Sequence, residues 1–201
     1  MNLKDRADEV LTIQKDAIQK LETTASWIKS IELIGSVTKN YGRIITTGMG
    51  KAGIIAQKMS ATLSSIGIPS VFIHPAEALH GDLGRIASND LIIVFSHSGS
   101  TTEVGRMITH LHALNDHKNI VIIISGHDNP LIPHNHVVCY GEVKESSVVK
   151  KVPSTSTTVM LIIADVLAIT AAEALGFNDE WFKQRHPGGE IGKIYEKNNN
   201  N

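Results

Sequence analysis

Short apolar runs alternate with helical patterns through the middle of the chain. Five of these runs are nearly continuous in hydrophobicity and rich in β-branched residues, which is typical of strands buried on both faces. They cover residues 43–47, 70–73, 90–96, 119–125 and 136–140. Helical spacing at 52–66 and 103–114 gives strand, helix, strand units, which build a parallel sheet. The pattern therefore predicts an α/β fold of three layers.

Helical patterns flank this region on both sides. Apolar residues recur at helical spacing from residue 3 to about 28, which predicts one long amphipathic helix, and a short helix is expected at 31–39. A further helix is expected from Thr155 to about Leu175. Its apolar stretch, 159–172, is short for a hydrocarbon core of ~30 Å, so we expect a buried helix.

Composition and charge favour one globular domain inside the cell. With 201 residues, 42% of them hydrophobic, we expect a single domain over 1–197, with N-terminal helices to about 40, an α/β core from about 41, and a disordered tail at 198–201. A net charge of -1 argues against nucleic acid as a partner. The charged N-terminus has no signal-peptide core and Cys139 is the single cysteine, so a cytoplasmic location without membrane attachment is expected.

The turn after the third apolar run carries many hydroxyls. Its sequence, SHSGSTTE, directly follows a predicted strand, at the edge of a parallel sheet where ligands collect beside helix N-termini. Gly99 permits a tight turn and a close approach of the backbone. The surrounding hydroxyls belong to Ser96, Ser98, Ser100, Thr101 and Thr102. A phosphate is the anion that matches such a cradle best.

A structural role competes with anion binding at part of this turn. Ser100 and Glu103 have the S-x-x-E spacing of a capping box, in which each side chain satisfies a backbone N–H at the start of a helix. That role leaves Ser96, Ser98 and Thr101 without an explanation, so the turn as a whole favours an anion site.

A second glycine-rich turn, TGMGKAG, follows the first predicted strand. It lacks the spacing of the P-loop and of the dinucleotide fingerprint, so nucleotide binding has little support. Lys51 lies near the start of the next helix, where a positive charge opposes the helix dipole. A solvated lysine is the simpler interpretation, but this unfavourable position favours a cation for a small phosphorylated substrate.

The motifs together resemble those of sugar isomerase (SIS) domains. SHSGSTTE resembles the S-x-S-G-x-T-x-E signature of that family, and four segments resemble its arabinose 5-phosphate isomerase branch: TGMGKAG, HPAEALHGDLG, PSTSTT and HPGGEIG. The resemblance implies a five-stranded parallel sheet between helices and a homotetramer with active sites at subunit interfaces. It also implies interconversion of D-ribulose 5-phosphate and D-arabinose 5-phosphate, which supplies the synthesis of Kdo for lipopolysaccharide or capsule.

The same resemblance implies roles for individual residues. The substrate and phosphate contacts that it implies are Gly48, Ser96, Ser98, Thr101 and Ser154. The catalytic positions that it implies are Lys51, His80, Glu103, Glu145 and His186. Either glutamate can be the base that moves a proton through a cis-enediol, and either histidine can exchange protons with the sugar oxygens and open the ring. The two histidines can meet if one comes from a neighbouring subunit.

Other functions fit the same motifs. Phosphoheptose and hexulose phosphate isomerases also use SIS domains, so the sugar stays open. A sugar-phosphate sensor without catalysis is the alternative of a different class. It is opposed by the candidate acid and base residues, and by the lack of a basic helix-turn-helix segment before residue 40.

No metal or organic cofactor is required for this chemistry. The histidine pairs 110/112 and 134/136 have no carboxylate or cysteine cluster nearby, so no dedicated metal site is expected, although a divalent ion bound adventitiously is expected to inhibit. Many relatives continue into a pair of CBS domains, and this chain is expected to lack that regulation. Feedback by a nucleotide-activated Kdo would then act at the active-site cleft.

Overall fold

A computed structural model describes residues 2–149 and 152–188. The α-helices in these ranges are α1 (Leu3–Gln19), α2 (Ala25–Lys39), α3 (Gly50–Ser65), α4 (Pro75–Ala78), α5 (Thr102–Leu114), α6 (Thr155–Ala174) and α7 (Asp179–Arg185), with a 3-10 helix at Asp82–Arg85. The strands are β1 (Ile44–Gly48), β2 (Ser70–Phe72), β3 (Leu91–Phe95), β4 (Ile120–Ser125) and β5 (His136–Cys139). The predicted tail, 198–201, lies outside the described residues.

The five strands form one parallel sheet in the order β2-β1-β3-β4-β5. The chain winds outward from β1 to β2, then crosses back to place β3 on the other side of β1. The connections after β1 and β3 thus leave neighbouring strands at the carboxyl edge of the sheet and run in opposite directions. In this class of fold, their divergence creates a crevice. The predicted parallel sheet and α/β class are confirmed.

Alternate strand residues serve two separate cores, one on each face of the sheet. Ile93 packs in a cluster with α2, α3 and α6, whereas Ile92 packs in a cluster with α4 and α5. All five residues of β3 are buried, which explains why this strand is apolar throughout rather than alternating. Helices therefore cover both faces, and the predicted three layers are confirmed.

The N-terminal region differs from its prediction. One helix was expected over 3–28, but α1 ends at Gln19 and α2 begins at Ala25. Thr24 is the N-cap of α2 and has an extended backbone, with φ -94 and ψ 169. Thr24 makes no side-chain capping bond, but the β-branched pair Thr23 and Thr24 loses rotamer freedom inside a helix, which opposes the continuing apolar pattern. The predicted short helix at 31–39 is the second half of α2.

Helix α6 has the length and apolar character of a membrane-spanning helix. It is 20 residues long, and within residues 2–149 and 152–188 it is the one helix that meets both criteria. A core helix meets them as well. Ten residues of α6 are buried, and the helix packs against α2 and α3, so its apolar surface is used in the core, as predicted.

Asp90 fastens the amino end of β3 to the strand beside it. Its carboxylate accepts hydrogen bonds from the backbone N–H groups of Arg43 and Ala87 and from the Arg43 guanidinium, at 2.6 to 2.9 Å. Replacing Asp90 by Ala leaves the two backbone N–H groups without this acceptor, while the Arg43 guanidinium keeps its hydrogen bond to the Arg85 carbonyl. We expect the free energy of unfolding to fall by about 2–3 kcal/mol in urea denaturation. The exposed carboxylate of Asp8, which pairs with Lys4, is the control, and Asp8→Ala should change stability by less than ~0.5 kcal/mol. Equal losses in the two variants would contradict this account.

Candidate functional site

A cavity of about 760 Å³ opens at the carboxyl edge of the sheet, in the crevice between β1 and β3. Met49 and the first three residues of α3 line one side, and the end of β3 with the turn that follows it lines another, through residues 95–98 and Thr101. Glu145 and the start of α6 form the remaining wall, and Phe95 and Met160 supply apolar surface. An apolar cavity with a few convergent polar groups is typical of a small-molecule site.

The helices α3, α5 and α6 all begin at this cavity. Their first residues are Gly50, Thr102 and Thr155, and each helix presents its positive dipole end toward the crevice. The first N–H groups of α6 donate to Glu145. The N-caps of α3 and α5, Met49 and Thr101, form no side-chain capping bond. These two helix ends therefore keep donors for an anionic ligand.

The hydroxyls of the SHSGSTTE turn converge on one side of the cavity. Ser96 Oγ lies 2.9 Å from Thr101 Oγ1. Ser98 is exposed at the cavity, and its Oγ accepts a hydrogen bond from Ser100 Oγ at 3.1 Å. Hydroxyls that bond to one another can turn their protons toward an incoming anion. The turn thus has the donors that a phosphate needs.

The capping-box interpretation of this turn is wrong. The N-cap of α5 is Thr101 rather than Ser100, and its side chain makes no capping bond. Ser100 Oγ bonds to Ser98 instead, and Glu103 lies exposed in the first turn of α5. A capping box requires the two side chains to reach each other's backbone N–H, which a start one residue later prevents.

Two glycines allow the turns to come together. A Cβ on Gly48 would lie 2.9 Å from the carbonyl oxygen of Phe95, so a side chain there would force the ends of β1 and β3 apart. Gly99 has φ +62, and a Cβ on it would lie 2.3 Å from the Cβ of Pro130. Its carbonyl accepts from the N–H groups of Leu131 and Ile132. Gly48 and Gly99 therefore let the two turns approach each other, and the substrate contact implied for Gly48 stays a prediction.

Glu145 is bound at the start of α6. Its Oε2 accepts hydrogen bonds from Ser154 N at 2.8 Å, Thr155 N at 2.7 Å and Ser154 Oγ at 2.9 Å, and its Oε1 accepts one from Ser156 Oγ. Partial burial raises the pKa of this carboxyl, but the hydrogen bonds from Ser156 and Ser154 outweigh burial and hold the pKa below its usual value of 4.5. Glu145 is thus an ionised carboxylate that borders the cavity.

This bonding predicts a pH-dependent contribution to stability. A depressed pKa stabilises the folded state above the unfolded value of 4.5, and the contribution is lost as pH falls through the folded pKa. The difference in unfolding free energy between the wild type and Glu145→Gln should therefore be constant near neutral pH and shrink below pH 4.5. Urea denaturation across pH values checks this. A difference that stays constant through the acid range would show that the charge of Glu145 does not contribute.

His97 also lines the cavity, and the sequence-based predictions did not include it. Its Nδ1 lies 2.8 Å from the Tyr140 hydroxyl, and its ring centroid lies 5.9 Å from that of His127. Burial lowers the pKa of His97 and His127 lowers it further, against opposing effects of Glu145 and Glu142. Its place between two predicted phosphate ligands was the one sequence signal that could have identified it.

The structure brings together half of the ten predicted site residues around the cavity, and two more adjoin it. Those that line it are Lys51, Ser96, Ser98, Thr101 and Glu145. Gly48 directly precedes the lining turn, and Ser154 contacts Glu145. Lys51 is exposed and forms no ion pair with any residue in the described ranges, so its ammonium is available to a ligand.

Three predicted residues do not line this cavity: His80, Glu103 and His186. His80 is exposed in the turn after α4. His186 ends α7, whose Trp181 lies beside Gly67 near the C-terminal end of α3. Because α3 starts at the carboxyl edge of the sheet, its C-terminal end marks the opposite edge. The roles of these residues stay predictions, and most of the HPGGEIG motif lies outside the described residues.

Metal-binding side chains do not cluster in the described part of the chain. Across residues 2–149 and 152–188, no three His, Cys, Asp or Glu side chains converge in a way that could hold a metal ion. The expectation that the reaction needs no metal or cofactor, and that an adventitious divalent ion inhibits, stays a prediction.

Comparison with known proteins identifies similar sequences. A family model described as the SIS domain matches residues 37–170. Arabinose 5-phosphate isomerase KdsD of Pseudomonas aeruginosa is 35% identical over 190 residues, which cover 93% of this chain and 57% of the relative. Arabinose 5-phosphate isomerase KpsF of Escherichia coli is 36% identical over 187 residues, covering 92% of this chain and 56% of the relative. The chain therefore spans little more than half the length of these relatives.

Solved structures agree with the fold. A Bacteroides fragilis protein, with a proposed role as a phosphosugar isomerase in capsule formation, superposes with a TM-score of 0.90 at 35% identity, covering 94% of this chain and 99% of that one. A protein of E. coli CFT073 in complex with arabinose 5-phosphate superposes with a TM-score of 0.81 at 30% identity, covering 93% and 100% of the two chains. These two structures match this chain over nearly their whole lengths.

Proposed function

This chain belongs to the family of SIS domains, and we propose that it interconverts D-ribulose 5-phosphate and D-arabinose 5-phosphate. One observation carries the proposal: a hydroxyl-rich anion cradle and an ionised carboxylate, Glu145, border the same cavity. The names of the two curated relatives, and the complex of the E. coli CFT073 protein with arabinose 5-phosphate, support this choice of sugar.

The polar groups of the cavity suit the separate tasks of an aldose-ketose isomerase. The hydroxyls of Ser96, Ser98 and Thr101, with the N-terminus of α5, bind the phosphate. Glu145 removes a proton from C1 of the ketose, which gives a cis-enediol, and returns the proton to C2 to give the aldose. A second group moves the hydroxyl proton from O1 to O2. Lys51 stabilises the negative charge that develops on these oxygens.

The low pKa of Glu145 has two consequences for this mechanism. At neutral pH the carboxylate is always in the ionised form that a base requires. The hydrogen bonds from the start of α6 also make it a weaker base, so the bound substrate must weaken some of these bonds as the proton moves. The free energy of binding the substrate phosphate can offset the cost of weakening these hydrogen bonds.

A homotetramer would complete the site. His80 and His186 lie away from the cavity of their own chain, so either of them can serve ring opening and proton exchange with the sugar oxygens only if it comes from a neighbouring subunit. Co-expression of Glu145→Gln with His186→Gln tests this arrangement. If sites are shared between chains, mixed oligomers regain activity that neither parent has. A monomer in light scattering, or mixed oligomers without activity, would contradict the shared site.

A turnover assay tests the proposed reaction. Chelator-treated protein is incubated with D-ribulose 5-phosphate, and D-arabinose 5-phosphate is measured, with sedoheptulose 7-phosphate and a hexulose 6-phosphate as comparison substrates. We expect the pentulose to be turned over with the largest kcat/KM without added metal. Preference for a longer sugar would indicate a sister isomerase, and saturable binding without turnover would indicate a sensor.

The wider role follows from the same proposal. D-arabinose 5-phosphate from this reaction would enter Kdo synthesis for lipopolysaccharide or capsule, in the cytoplasm where sugar phosphates are made. Feedback by a nucleotide-activated Kdo at the cavity is part of this proposal. A compound of this kind should compete with D-ribulose 5-phosphate, and failure to bind or compete would remove the feedback role.

A further inference from the structure

His97 has a fixed position in the wall of the cavity. It lies between Ser96 and Ser98, and its ring stacks on Tyr140 with centroids 5.8 Å apart and planes 22° apart. The ring also packs on the backbone at Gly126, where a Cβ would lie 2.5 Å from Nδ1 and from Cε1. Contacts on two sides therefore hold the imidazole in one orientation.

The hydrogen bond to Tyr140 determines which ring nitrogen carries the proton. The Tyr140 hydroxyl lies 2.8 Å from His97 Nδ1 and has no other hydrogen-bond partner in the described part of the chain. Burial, with the charge of Glu145, raises the pKa of Tyr140, so the phenol keeps its proton. If Nδ1 donated, the phenol proton would lack an acceptor in the protein. Donation from Tyr140 to Nδ1 satisfies both groups and leaves the imidazole proton on Nε2.

The groups around His97 favour its neutral form. Burial lowers its pKa most, and His127, from the turn after β4, lowers it further. Glu145 and Glu142, from the segment after β5, raise the pKa, but their effects do not offset those of burial and His127, so the net shift is downward. A neutral imidazole with its proton on Nε2 is a hydrogen-bond donor that adds no charge to a site that already contains Lys51.

We propose that Tyr140 fixes His97 as an Nε2–H donor to a sugar hydroxyl between the phosphate and the reacting carbons, which makes His97 a specificity residue. The inference rests on the proposed function, because it assumes the phosphate beside Ser96 and Ser98 and the reacting carbons beside Glu145. His97 belongs to the phosphate turn, and it lines the same cavity as Glu145 on a different wall. With the phosphate at the turn and the reacting carbons at Glu145, the sugar between them comes within reach of His97.

Binding measurements with Tyr140→Phe test the contact. The variant keeps the ring and removes only the hydroxyl that orients His97, and Tyr41→Phe, at a residue that is 95% exposed, is the matched control. Calorimetry with D-arabinose 5-phosphate and with inorganic phosphate separates a sugar contact from a phosphate contact. We expect Tyr140→Phe to weaken binding of the sugar phosphate by up to about fivefold, the limit set by loss of one hydrogen bond, and to leave binding of inorganic phosphate unchanged. Unchanged affinity for both ligands, or equal losses for both, would overturn the proposal.

The protonation of His97 is measured independently of any substrate. In ligand-free protein with 15N-labelled histidine, proton-nitrogen correlation spectra distinguish the two tautomers, and His97→Asn assigns the signals. We expect an unprotonated Nδ1 and a protonated Nε2 at neutral pH, and a mixture of tautomers in Tyr140→Phe. A protonated Nδ1 or a charged ring would overturn the proposal. If the wild type has the expected tautomer but does not bind D-arabinose 5-phosphate, the proposed function fails and the sugar contact fails with it.

Discussion

Replacing Glu145 by Gln is expected to lower kcat for D-ribulose 5-phosphate by about 10²- to 10⁴-fold, with little change in KM. The amide cannot accept the C1 proton, whereas the phosphate contacts on the other side of the cavity are unchanged. The Gln oxygen can still accept from the backbone at the start of α6, and the Ser156 hydroxyl can rotate to accept from the new amide. Steady-state kinetics, with thermal unfolding of each variant, separate lost chemistry from lost structure.

Two further substitutions make this result specific. Glu142→Gln changes an exposed carboxylate of the same segment that forms no hydrogen bond in the described structure, and it should retain near wild-type turnover. Glu103→Gln tests the other glutamate that the sequence offers as the base. Loss of turnover in Glu103→Gln alone would transfer the role of base to that residue. Near-normal turnover in both Glu103→Gln and Glu145→Gln would show that the catalytic proposal is wrong.

Replacing Gly99 by Ala is expected to lower the free energy of unfolding by about 2–5 kcal/mol and to weaken phosphate binding. A left-handed backbone costs alanine roughly 1–2 kcal/mol, and overpacking in a filled site costs about 1–3 kcal/mol more. At this position φ is +62, and the added Cβ would lie 2.8 Å from the Cα of Pro130, a backbone atom that cannot move aside easily. The hydroxyls of the turn would shift with the chain. Urea denaturation and calorimetry with inorganic phosphate measure the two effects.

Gly105→Ala is the matched control for this change. Gly105 lies in α5, a few residues beyond Gly99, and an added Cβ there would meet no atom within 4 Å. Because alanine favours helices over glycine, this variant should gain up to ~1 kcal/mol of stability. Equal stability of the two variants would show that neither backbone strain nor the Pro130 contact accounts for glycine at position 99.

The central part of the fold could be predicted because the apolar runs in the sequence agree with the burial of these strands in the folded sheet. The run ending at Phe95 is apolar throughout, and the structure buries every residue of β3 against helices on both faces. The break between α1 and α2 was missed because the apolar spacing continues through Leu21. The backbone is extended at Thr24, and the low helix propensity of threonine is a preference that hydrophobic periodicity does not contain.

The site could be predicted only in part, because several of its features depend on contacts between distant segments. The Ser96–Thr101 pair lies within one turn, and its chemistry is visible in the sequence. The hydrogen bond between Tyr140 and His97 joins residues 43 apart, which only the folded sheet brings together. The hydrogen bonds that hold Glu145 at the start of α6 likewise require the folded segment before that helix.

A crystal structure of Glu145→Gln with D-arabinose 5-phosphate tests the central claim most directly, because the variant binds the sugar without converting it. We expect the phosphate against the hydroxyls of Ser96, Ser98 and Thr101, with C1 and C2 beside residue 145. A sugar phosphate bound outside this cavity, or bound in it with its phosphate beside residue 145, would contradict the account.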